Sequence, residues 1–95
     1  MKKIKQRIAI ANLCGWKAKL GDRDLELHIP DYPNDLNAMR EAEKLLNKEQ
    51  TSAYIMHLAP MSDWGAIQYK LTFATAAQRA EAFLKTLNLW EYKKI

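Results

Sequence analysis

Ala66-Ile67-Gln68-Tyr69-Lys70-Leu71-Thr72-Phe73 alternates apolar and polar side chains. Ile67, Tyr69, Leu71 and Phe73 would share one face, and Gln68, Lys70 and Thr72 the other. That is the period of a strand buried on one side, and the aromatic content strengthens it. A shorter stretch, Leu25-Glu26-Leu27-His28-Ile29, repeats the pattern with Leu25, Leu27 and Ile29 turned to the core. Pro30 ends it, because proline cannot donate to a ladder. The alternation predicts two strands, over 25–29 and 66–73.

Around these stretches the period changes to that of helices. Residues 3–14 place Ile4, Ile8 and Ala11 on one stripe, widened by Ile10, Leu13 and Cys14. Gly15 follows as a stop, with Trp16 free to fold back over the last turn. Pro33 precedes two candidate caps, Asn34 and Asp35, for a second helix over 35–46. Its apolar side is Leu36, Met39, Ala42 and Leu46, and Glu43 lies at the edge of that stripe. Asn47 with Gln50 and Thr75 with Gln78 both have capping-box spacing. They predict a third helix over about 48–59, ended by Pro60, and a fourth carrying Ala76, Ala80, Phe83, Leu84 and Leu87. Asn88 suits a left-handed stop.

The expected order is α-β-α-α-β-α. This is an α+β class, a small layered α/β sandwich around a short antiparallel sheet. The 95 residues make a single domain, 1–95. A chain of this size buries only about two thirds of its unfolded surface, so a homodimer that pairs strands across subunits would add stability and hide an edge.

Four blocks carry a family resemblance. They are Asn12-Leu13-Cys14-Gly15-Trp16, Ile29-Pro30-Asp31-Tyr32, Asn34-Asp35-Leu36-Asn37-Ala38-Met39, and the segment from Ala74 to Leu84. In this order they resemble the small bacteriophage proteins of the phage ABA sandwich domain family. Arg40 and Asn88 stand where that family often carries a histidine and a glycine. The resemblance implies a phage or prophage origin and a layered α/β fold; the single cysteine and the short apolar runs add the host cytoplasm as the expected place. The resemblance implies no settled chemistry, so no catalytic residue is carried over.

The charge is uneven. Lys2, Lys3, Lys5, Arg7, Lys17 and Lys19 fall in the first nineteen residues without one acid, whereas the rest of the chain is slightly acidic. Lys3, Lys5, Arg7, Lys17 and Lys19 are therefore candidate nucleic-acid contacts, set against the plainer reading of a solvated helix face. Cys14 is the single cysteine, which excludes an intrachain disulfide and fits a reducing compartment. No apolar run reaches the length of about 18 residues that a spanning helix needs.

Chemistry is harder to find. His28, His57 and Cys14 lack metal-ligand spacing. Gly15, Gly21 and Gly65 are isolated, so no glycine-rich phosphate loop exists. No nucleophile and base are paired, and neither a cofactor nor an enzymatic activity is expected. Phosphate could sit at the starts of the second and fourth helices, with Arg40, Lys44 and Arg79 as countercharge. Trp16, Tyr32, Arg40, Glu43, Trp64, Tyr69 and Arg79 are the candidate ligand or partner contacts. The expected function is a non-catalytic binder that sequesters a nucleotide signal or inhibits a host defence component. A nucleic-acid-binding accessory protein and a phage structural or assembly protein are the alternatives.

Overall fold

The computed structural model describes residues 1–17, 28–59, 68 and 71–92. Four helices have both ends among them: α1 (Lys3–Leu13), α2 (Leu36–Glu43), α3 (Lys48–Leu58) and α4 (Ala76–Thr86). No strand occurs among the described residues. The α+β sandwich, its α-β-α-α-β-α order and its antiparallel sheet are therefore corrected to a helical architecture.

The physical reason is clearest at 66–73. Residues 68 and 71–73 are helical. Thr72 donates its hydroxyl to the Gln68 carbonyl at 2.9 Å, the back-bond of a helical turn. Phe73, expected in the core, is 65% exposed. The Arg79 guanidinium then takes the carbonyls of Leu71 and Ala74, the latter at 3.2 Å. These carbonyls find partners locally and need no neighbouring strand. Of the other predicted strand, His28 is helical and Ile29 lies in a bend; 25–27 fall outside the described residues. The remainder of 66–73 falls outside them as well.

The helix boundaries follow local hydrogen-bond chemistry. Asp35 caps α2 by accepting from the backbone of Asn37 and Ala38 at 3.0 and 3.2 Å. Asn34 instead donates its amide to Asp31 at 3.0 Å and belongs to the turn before the helix. The α2 chain tightens after Glu43: Leu45 and Leu46 donate to Ala42 and Glu43, three residues back, at 3.0 and 3.1 Å. Both capping boxes form, Asn47 with Gln50 and Thr75 with Gln78. Gly15 has φ +98°, and Trp16 donates back to the Ala11 carbonyl at 3.0 Å. Asn88 takes φ +59° after α4, and Leu89 donates to Leu84 at 2.8 Å.

Helix α4 is the centre of the packing. It lies against α1, α2 and, most extensively, α3. Phe83 and Leu84 are fully buried there, while Ala76, Ala80 and Ala82 let the neighbouring helices approach. Ile10 and Ala11 of α1, Met39 and Ala42 of α2, and Tyr54 of α3 complete this core with Ile29 and Tyr32.

The α1 stripe is rotated from expectation. Its buried residues are Gln6, Ile10 and Ala11, and Leu13 is 40% exposed. Isoleucines surround this helix, so its sequence does not select one face. Ile8 and Ala9 are half-buried and pack against the edge of the core.

Candidate functional site

Two polar nodes and one open groove hold the residues with chemical potential. The first node joins three helices. Arg79 of α4 donates to Glu43 of α2 at 3.2 Å, and the same carboxylate oxygen accepts the Tyr54 hydroxyl of α3 at 2.9 Å. Arg79 also reaches the carbonyls of Ala74 and Leu71. Its side chain is 9% exposed and that of Glu43 23%. Burial raises the Tyr54 phenol far above its ordinary value; the adjacent Glu43 charge and hydrogen bond push the same way, and Arg79 opposes them.

The second node fixes the turn before α2. Tyr32 is buried, with the Cys14 thiol and the Trp16 indole beside its phenol. Burial is again the largest cause of a strongly raised phenol, followed by the Cys14 thiol. Arg7 secures the same turn by donating to the Pro30 carbonyl at 3.2 Å and to that of Ile29 at 2.5 Å.

Both phenols titrate higher in the folded chain than in the unfolded one, where tyrosine ionises near 10.0. The folded state therefore holds more protons above that pH. The stabilisation is complete below pH 10 and is lost as pH rises through the folded values. Denaturant unfolding between pH 9 and 12 should show stability falling from about pH 10, and Tyr32→Phe with Tyr54→Phe should flatten that fall.

The groove lies between α1 and the segment after α4. Lys5 pairs with Glu91 at 3.3 Å across it. On one side is a cleft of about 390 Å³ lined by Met1, Lys2, Lys5, Glu91 and Tyr92. On the other is a cleft of about 360 Å³ that adds Ile8, Ala9, Asn12 and Leu89. Lys85 lies 5.7 Å from the Trp90 ring and 5.8 Å from that of Tyr92; Tyr92 lines the groove, whereas Trp90 lines a separate cleft with Lys3, Gln6 and Glu81.

The expected contact residues divide accordingly. Glu43 and Arg79 are brought together, but in a buried support. Trp16 and Tyr32 meet in the second node, and Arg40 is exposed apart from both. Trp64, Tyr69 and Lys19 lie outside the described residues. The phosphate set does not converge: Lys44 pairs with Glu41 at 2.9 Å, whereas Arg79 is committed to Glu43. The basic residues of α1 also separate. Lys3 bonds Asn34 at 3.3 Å, Lys5 bonds Glu91 and Arg7 holds the proline turn. Lys17 is exposed. Tyr54, Lys85, Glu91 and Tyr92 were not among the expected contacts; their roles depend on packing between helices, which no local spacing encodes.

No group of three or more histidine, cysteine or acidic side chains suited to a metal occurs among the described residues. No helix among them is long and apolar enough to cross a membrane. No protein-family model, curated protein or solved structure matches the chain. The resemblance to the phage ABA sandwich family is thus corrected by the helical fold, and the bacteriophage and prophage origin drawn from it has no support.

Proposed function

We propose that this chain is a non-catalytic protein-binding domain. Its contact surface is the α1 groove, and its partner presents an acidic segment with an aromatic or aliphatic side chain. One observation carries the reading: Lys5 already holds a carboxylate, Glu91, beside a cleft whose apolar lining includes Ile8, Ala9 and Leu89. The chain's own Leu89, Glu91 and Tyr92, which line these clefts, thus supply the template for what fits there. Lys2 adds positive charge on the rim, and α1 carries no acid to oppose it. The clefts are open, which suits a polypeptide laid along the surface better than an enclosed nucleotide. The same reading places the chain in a reducing compartment, where Cys14 remains a thiol.

Nucleic-acid binding is the second reading and rests on the exposed basic residues Lys2, Lys3, Lys5 and Lys17. Lys3 and Lys5 lie on different sides of α1, so they make a weaker continuous track for a phosphate backbone. Three probes separate the readings: a random copolymer of glutamate and tyrosine, polyglutamate, and oligothymidylate. The copolymer should bind most tightly, and Lys2→Ala with Lys5→Ala should weaken it about five- to tenfold. Equal or tighter binding of oligothymidylate would favour the nucleic-acid reading. Failure of the copolymer to bind would remove the proposal.

A further inference from the structure

We infer that residues 89–92 form an internal strap that competes with the partner for Lys5; this rests on the groove being the binding surface. The strap begins at the left-handed cap of α4: Asn88 takes φ +59°, a conformation asparagine adopts more readily than most residues, and Leu89 makes the last backbone hydrogen bond among the described residues, to Leu84. Beyond it, no backbone hydrogen bond holds residues 90–92 among the described residues. Side chains hold them instead. Glu91 meets Lys5, their side chains 58% and 45% exposed, and Lys85 faces the rings of Trp90 and Tyr92.

The Glu91–Lys5 pair is open to water, the weak and exchangeable kind of contact, whereas Trp90 is half-buried against the core and anchors the segment. Beside the strap, half-buried Ile8 and Ala9 line the same cleft as Leu89 and Glu91. An incoming carboxylate that takes the Lys5 ammonium returns Glu91 to water, so one ion pair replaces another. An apolar side chain of the partner can then settle in the adjoining cleft against Ile8 and Ala9. Glu91 therefore sets a threshold: partners that supply both a carboxylate and an apolar group displace it more readily than charge alone.

Glu91→Gln removes the competing charge while keeping the side chain's size. The full chain carrying it should bind the glutamate–tyrosine copolymer about threefold more tightly than the native chain, as expected from removing one exposed ion pair. Unchanged or weaker binding would overturn the strap. A second measurement needs no ligand: the backbone amide resonances of residues 90–92 should shift toward their Glu91→Gln positions as salt rises to about 0.5 M. Resonances indifferent to both salt and the substitution would also overturn it. If neither protein binds the copolymer but the resonances respond, the binding surface is wrong and the strap itself stands.

Discussion

Arg79→Met lowers the unfolding free energy by about 3 kcal/mol, and the melting temperature by about 15 °C for a chain of this size. The substitution keeps an unbranched apolar stem of similar length, so the packing of α4 changes little. It removes the charge that pairs with the Glu43 carboxylate at this node among the described residues. Glu43 is left with the Tyr54 hydroxyl, and the carbonyls of Ala74 and Leu71 lose their guanidinium donors. Breaking one side of a buried pair costs about 3–5 kcal/mol, chiefly because the other charge stays desolvated. Glu43 is 23% exposed and recovers some hydration, which places the effect at the lower end. Glu43→Gln should cost less, about 1–2 kcal/mol, because the amide oxygen still accepts from Tyr54. Denaturant midpoints for the two variants measure the order; equal stability of Arg79→Met and the native chain would show that the node contributes nothing.

Phe83→Ala lowers stability by about 3–4 kcal/mol. Its ring is fully buried on the face of α4 that meets the other helices. It also forms the floor of a cleft of about 300 Å³ lined by Leu13, Leu45, Leu46, Gln50 and Leu87. Removing the ring joins that cleft to the core, so water reaches apolar walls that are now dry. The loss combines the transfer energy of the ring with new hydration of Leu and Met side chains. Leu45→Ala, at the rim of the same cleft and 55% exposed, should change stability by less than about 1 kcal/mol. Thermal unfolding of both variants checks the contrast, and comparable losses would contradict the assignment of Phe83 to the core.

The boundaries of the helices were legible because caps are short-range chemistry. Asp35, the Asn47–Gln50 and Thr75–Gln78 pairs, Gly15 and Asn88 all act within a few residues of themselves. The strand over 66–73 misled for a related reason. An eight-residue alternation describes side chains without saying where the backbone groups find partners. Here the helical bond from Thr72 to Gln68 and the donors of Arg79 supply them. The α1 face was hidden because Ile4, Ile8, Ile10 and Leu13 surround the helix; α4 and the Tyr32 turn decide which of them is covered. At the node, Glu43 stood out at the edge of an apolar stripe, but its partners lie 11 and 36 residues away. Arg79 read as a surface countercharge since nothing beside it in the chain shows its burial. The groove was less visible still, because the pairing of Lys5 with Glu91 spans 86 residues.

The claim that organises the rest is that Arg79, Glu43 and Tyr54 lock α2 and α3 onto α4. A double-mutant cycle measures it directly, using Arg79→Met, Glu43→Gln and the two combined. The node predicts a coupling of at least about 1.5 kcal/mol, with the double variant far less destabilised than the sum of the single ones. Additive losses, with coupling within about 0.3 kcal/mol of zero, would mean that the two side chains act independently and that the helices are held together without the node.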